Sequence, residues 1–127
     1  HTVDNQQNSA QRRQFDRARV NLPVSYSLVG KGGSAQARVV DLSGGGARIA
    51  TAADLAAGTQ LELTFRLRET DAQLVARGRI IMSFFEGSEQ RYLHGVAFTQ
   101  IAPADQEAIV QYIHEVQFPK LYGITRP

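Results

Sequence analysis

The sequence predicts a mainly β fold, about six strands followed by one C-terminal helix, closed into a small barrel or sandwich. Three observations carry that reading. Short segments with period-two alternation recur between residues 22 and 101, glycine-bearing turns separate them, and the period switches to a helical one after Pro103. The 127 residues, 43% hydrophobic and 20% charged, are about the size of one domain.

Residues 1–11 (HTVDNQQNSAQ) are polar, hold one Val and show no period, so a disordered arm or linker is expected there, with order beginning near Phe15. In LPVSYSLV (22–29) the alternating Leu22, Val24, Tyr26 and Leu28 mark a strand. GKGGS (30–34) is a turn, and AQARVVDL (35–42) supplies the other arm of a hairpin. Gly44, Gly45 and Gly46 interrupt the pattern before residues 47–50 resume it briefly. The cleanest alternation is in TQLELTFRLR (59–68), with Leu61, Leu63, Phe65 and Leu67 on one face. LVARGRIIMSFF (74–85) is long, and Gly78 within it predicts a bend or bulge. YLHGVAFTQI (92–101) completes the β section. Pro103, Asp105 and Glu107 form a helix first turn, with acids near the positive end of the helix dipole. Ile109, Val110, Ile113 and Val116 give the helix an apolar stripe, and Pro119 ends it. The tail FPKLYGITRP packs on the barrel or on another chain; the sequence leaves both open. The expected division is an arm at 1–11, one unit at 12–118 and a tail at 119–127.

Composition removes several function classes. There is no cysteine, hence no disulfide framework, no CxxC knuckle and no thiol nucleophile. No run of about 18 apolar residues exists to span a membrane. No signal-like segment is visible, and the opening at His1 leaves open whether the chain is a fragment of a longer protein. His1, His94 and His114 lack metal-ligand spacing, and no GxSxG, Walker or helix-opening GxGxxG pattern occurs, so neither an enzyme nor a resident cofactor or metal is expected. The formal charge of +2 lies in the first twenty residues, where Arg12, Arg13, Arg17 and Arg19 face Asp4 and Asp16; residues 21–127 hold ten basic and ten acidic side chains. All but Lys31 and Lys120 of the 14 basic residues are Arg, whose planar forks suit phosphate, carboxylate or a guanine edge.

Two features remain. One is the arginine set Arg12, Arg13 and Arg17 in QRRQFDRAR; the other is Asp41, Ser43 and Gly46 in DLSGGG, directly after a strand. Taken singly, the first is usually a solvated charge run and the second a turn whose side chains bond their own backbone. Together they complement a ligand with both guanine and phosphate. Arginine forks meet phosphate or the guanine O6/N7 edge, the aspartate accepts from the N–H donors of the opposite edge, and serine and glycine amides meet either.

Arg13-Gln-Phe-Asp-Arg17 resembles the RxxxR motif of PilZ domains, and Asp41-Leu-Ser43-Gly-Gly-Gly46 resembles their (D/N)xSxxG motif. The likeness runs over roughly residues 11 to 118 and includes GVAF at 95–98, similar to the family's late strand. It implies a six-stranded antiparallel β-barrel with a C-terminal α-helix and a flexible basic N-terminal arm. It also implies a cytoplasmic receptor for cyclic di-GMP, with Arg13 and Arg17 gripping guanine and phosphate while Asp41, Ser43 and Gly46 meet the ligand from the barrel. Arg12 matches an extra arginine that accompanies two intercalated ligand molecules in some members. Arg79, Ser83 and Phe84 lie where some members place a later ligand contact, but none of them matches. The implied mechanism is a ligand-induced change in the arm, passed to a partner protein or attached domain in motility, polysaccharide export or transcription.

Two alternatives belong to other classes. A single-stranded nucleic-acid-binding barrel would also suit an arginine-rich arm, but aromatic residues make up only 8%, Trp is absent, and no basic surplus exists outside the arm, so no nucleic-acid partner is expected. A PilZ-like module that binds only protein is countered by the presence of both motifs.

Overall fold

The computed structural model describes residues 15–123. Six strands, β1 (Arg17–Leu28), β2 (Ala35–Ser43), β3 (Gly46–Thr51), β4 (Gln60–Phe65), β5 (Leu74–Glu86) and β6 (Arg91–Ile101), precede helix α1 (Pro103–Gln117) and a short 3-10 helix at Pro119–Tyr122. All neighbouring strands pair antiparallel, in the closed order β1-β2-β3-β6-β5-β4. The expected six-stranded barrel with a C-terminal helix is the observed architecture.

The alternating apolar residues turn inward. Val24, Val39, Leu42, Ile49, Leu61, Leu63, Phe65, Ile80 and Val96 fill the barrel, each almost wholly removed from water. Closure gives every strand two neighbours over part of its length and lets one interior serve all six. Ile109 and Ile113 of α1 are buried against the same core, which seats the helix on β1 and β2. Val110, expected in the same stripe, is instead 41% exposed.

β1 starts at Arg17, ahead of the period-two run that begins at Leu22. The register with β2 shifts between Arg19 and Leu22, yet Ala18 and Val20 continue the inward face of Leu22, Val24 and Tyr26; the small Ala18 between two exposed arginines makes a weak apolar signal there. β4 stops at Phe65, short of the expected Arg68, although Leu67 still reaches the core. The expected irregularity at Gly78 is present as a register shift against β6 between Arg77 and Gly78.

His94 is fully buried on β6. Its Nδ1 lies 2.6 Å from Ser83 Oγ and its Nε2 2.8 Å from Thr51 Oγ1, while Ser83 donates to Leu55 O at 2.8 Å. This network ties β3, β5 and β6 to the loop between β3 and β4, a packing role for the histidine. Burial holds its pKa below the usual 6.5. The 3-10 helix folds back on α1, where His114 Nδ1 hydrogen-bonds Tyr122 OH and the His114 and Phe118 rings lie 4.8 Å apart. No described helix is long and apolar enough to cross a membrane, and no group of three potential metal ligands occurs among the described residues.

Candidate functional site

Strand parity sets which side chains reach the outer surface, and register decides who their neighbours are. Arg17 and Arg19 both face outward on β1, alternating with buried Ala18. Arg17 pairs with Ser43 of β2 and Arg19 with Asp41. Across β3, Ser43 pairs with Gly46 and Asp41 with Arg48. Three of the sequence-selected residues, Arg17, Ser43 and Gly46, thus form one cross-strand row, and Asp41 stands in the next. Arg12 and Arg13 lie outside the described residues.

Asp41 is the electrostatic centre of this corner. Its Oδ2 lies 3.7 Å from Arg17 Nη1, a loose pair because the arginine side chain is 58% exposed. Its Oδ1 is buried and has no hydrogen-bond partner among the described residues. A buried acceptor left unbonded costs about 1–3 kcal/mol, so an added donor at this oxygen would be stabilising.

Ser43 is taken up by its own turn. Its Oγ accepts from Gly45 N at 3.2 Å and donates to Gly46 O at 3.4 Å, which folds the turn between β2 and β3. The hydroxyl therefore shapes the backbone that a ligand would meet. Gly46 has a steric role, since a Cβ there would collide with the Val96 carbonyl oxygen, and β3 lies against β6 only because this side chain is missing. At Gly44 a Cβ would come within 2.6 Å of the Phe15 ring and 2.9 Å of Val110. Phe15, the central residue of Arg13-Gln-Phe-Asp-Arg17, thus packs flat on the glycine turn and joins the two motif segments. Helix α1 holds the same pair of segments by their backbones: Gln106 Nε2 donates to Gly44 O at 3.0 Å, and Gln117 Nε2 donates to Arg17 O at 2.7 Å.

The rows continue across the barrel. Gly46 pairs with Ala97, and Ala97 with Arg79; Arg48 pairs with Gly95, and Gly95 with Met82. The middle of the surface is thus floored by Gly46, Gly95 and Ala97, with Arg17 and Arg79 at its ends, four inter-strand steps or roughly 19 Å apart along the surface. Arg48 was not singled out from the sequence. The signal available was parity, because Arg48 follows Gly46 by two residues and so shares its face. Of the three later-strand residues considered, Arg79 lies in the row, Ser83 is committed to His94, and Phe84 pairs with Leu93 beyond it. A groove of about 790 Å³ between β1, β2 and β4, bordered by Arg38, Arg66 and Arg68, contains none of the motif residues. The candidate site is an open face of the barrel.

The PilZ domain family model matches residues 11–115. The chain belongs to the PilZ domain family. Similar solved structures include the Bacillus subtilis inhibitor of motility MotI/DgrA, 24% identical, with a TM-score of 0.76 over 87% of this chain and 53% of that one. This PilZ domain therefore spans about half of that protein. The PilZ domain of YcgR from Escherichia coli, solved with c-di-GMP, is 14% identical, with a TM-score of 0.61 over 90% of this chain and 100% of that one. The K. pneumonia MrkH–c-di-GMP complex is also 14% identical, with a TM-score of 0.68 over 89% and 56%. At these identities the likeness is one of fold. No curated protein matches the chain.

Proposed function

We propose that this PilZ domain is a receptor for cyclic di-GMP, bound on the outer face of the barrel by Arg17, Asp41, Ser43 and Gly46 together with Arg12 and Arg13 from the segment that precedes β1. The observation that carries the reading is the Asp41 corner: a carboxylate with one buried, unpartnered oxygen, beside an arginine fork and a glycine-floored surface. Guanine offers adjacent N–H donors that suit such a carboxylate, and phosphate suits the arginine fork. Arg48 and Arg79 add cations on the same face, offsetting the repulsion between Asp41 and an anionic ligand. Membership of the family supports the choice, as do the c-di-GMP complexes among structures of the same fold. Ser43 acts through the turn it holds. Ligand contacts to Arg12 and Arg13 draw the leading segment onto the barrel and move whatever is attached before it, which makes the domain a switch.

Calorimetric titration with cyclic di-GMP tests the reading, with amide shifts followed at residues 41–46. Saturable binding that weakens at least tenfold in Arg17→Ala, with cyclic di-AMP bound more weakly, is the expected result; the factor corresponds to about 1.4 kcal/mol, the low end for a hydrogen bond to a charged group. Equal affinity for both dinucleotides, or no effect of Arg17→Ala, overturns it.

A further inference from the structure

β5 runs on past the end of its neighbour. β4 begins at Gln60, opposite Arg79, and backbone bonding on that side ends with Gly58 N to Ile80 O at 2.7 Å and Ile80 N to Thr59 O at 2.9 Å. From Met82 to Glu86 the strand pairs with β6 on one side, and no other strand of the described residues pairs with its second edge. The register shift between Ile80 and Met82 accounts for the change, since a bulge bends its strand and turns it from the old neighbour. The freed segment reads Ile-Met-Ser-Phe-Phe, without a charge or a proline until Glu86. Its side chains stand in water, Ile81 57% exposed, Met82 48%, Phe84 46% and Phe85 51%.

An open edge of unpaired N–H and C=O groups is a template for strand addition, and soluble proteins blunt such edges with lysine, proline or inward charges. Here, apart from the bulge at its start, the edge carries none of these devices. We propose that the Ile81–Phe85 edge is an interaction surface that accepts a β-strand, and that the strand is the same segment of a second copy of this chain. An antiparallel pairing of one segment with itself is two-fold symmetric, so each contact is made twice. Centred on Ser83, which meets its own copy, it sets Ile81 opposite Phe85 and Met82 opposite Phe84 in both directions, apolar against apolar at each of these pairs. It strips no charge, because Glu86 already pairs with Arg91 at 2.6 Å. It also leaves the buried network intact, since the Ser83 hydroxyl is engaged with His94 and Leu55.

Size sets the strength. Four half-exposed large side chains per copy contribute roughly 100 Å² each, about 800 Å² over the pair before backbone is counted. Stable complexes bury about 1,200–2,000 Å², so the dimer is a weak one that forms at high protein concentration. Sedimentation of the full chain without ligand, from about 10 µM to about 1 mM, tests it by mass action. The expected result is a reversible monomer–dimer equilibrium that weakens at least tenfold in Phe84→Lys and in Met82→Lys. Far-UV circular dichroism and melting establish that both variants are folded, and amide exchange at residues 82–86 slows as concentration rises. Dimerisation unchanged by both variants, or exchange at 82–86 independent of concentration, overturns the proposal. A chain still monomeric at about 1 mM removes the second copy as occupant and leaves the edge to a strand of another protein. Met82 ends the Asp41–Arg48–Gly95 row, so cyclic di-GMP binding is compared in Phe84→Lys, whose partner Leu93 lies beyond the motif rows, and there it is expected to be unchanged.

Discussion

Replacing Asp41 by alanine is expected to raise the stability of the ligand-free domain and lower its affinity for cyclic di-GMP. The first effect follows from what the side chain lacks. Asp41 Oδ1 is buried without a partner, and removing the atom relieves a penalty of about 1–3 kcal/mol. Against this stands the loss of the 3.7 Å pair with Arg17, whose side chain is 58% exposed; screening by water leaves such a pair worth about 0–1 kcal/mol. The net expectation is a gain of about 1 kcal/mol, which for a domain of this size raises the melting temperature by roughly 3–6 °C. The second effect is the loss of a charged acceptor for guanine, about 1.5–3 kcal/mol, or roughly 10- to 150-fold in affinity. Differential scanning calorimetry on the free variant and isothermal titration with cyclic di-GMP read the two quantities independently. Opposite signs mark a residue held in strain for binding. A variant that melts several degrees lower while binding the messenger unchanged would refute the reasoning, since Asp41 would then be a structural residue whose buried oxygen finds a partner within the fold.

Other expectations follow from single contacts. His94 is kept neutral by burial, with its pKa below 6.5 in the fold, so the unfolded chain takes up the proton first; stability is complete above about pH 6.5 and is lost as pH falls from there through the folded pKa. Urea midpoints measured from pH 8 to pH 5 should show that slope, and His94→Gln, which cannot titrate, should flatten it. Gly46→Ala forces a methyl group against the Val96 carbonyl and is expected to cost about 1–3 kcal/mol by over-packing, read as a lower urea midpoint with unchanged m-value. Gln117→Ala removes the bond to the Arg17 carbonyl and should cost about 1 kcal/mol in stability, together with a few-fold loss of messenger affinity because Arg17 is then held less firmly. Arg48→Ala should leave the melting temperature within about 2 °C, since its side chain makes no hydrogen bond or ion pair among the described residues, while weakening cyclic di-GMP binding in a salt-dependent way.

What was legible in the sequence, and what was not, divides along physical lines. β4 could be read directly because Leu61, Leu63 and Phe65 are each at most 2% exposed while Glu62 and Thr64 point away, and a half-buried strand writes that alternation into the chain. The first residues of β1 were hidden, because only the small Ala18 and the half-buried Val20 mark the inward face there and two outward arginines resemble a charge run. Asp41, Ser43 and Gly46 were found as a motif, yet a motif does not say which way a hydroxyl turns. Ser43 bonds its own turn, and that depends on Gly45 N lying 3.2 Å away. Arg48 and Arg79 became neighbours of the site only through register. A single strand's pattern carries no information about which residue of the next strand stands opposite. Phe15 read only as the point where order begins, since nothing in one sequence announces that its ring rests on Gly44 and Gly45.

The helix explains how two motif segments so different in nature form one surface. Gln106 and Gln117 are eleven residues apart on α1, about three turns or roughly 16 Å along its axis, and they bond the carbonyls of Gly44 and Arg17. Between them Ile109 and Ile113 are buried in the barrel core, so the helix cannot slide without opening a cavity there. The spacing between the start of β1 and the glycine turn is therefore set by one rigid element seated on the core, with Phe15 wedged between turn and helix. Under the proposed mechanism, a ligand that pulls on Arg17 pulls through its backbone on α1, and the helix resists.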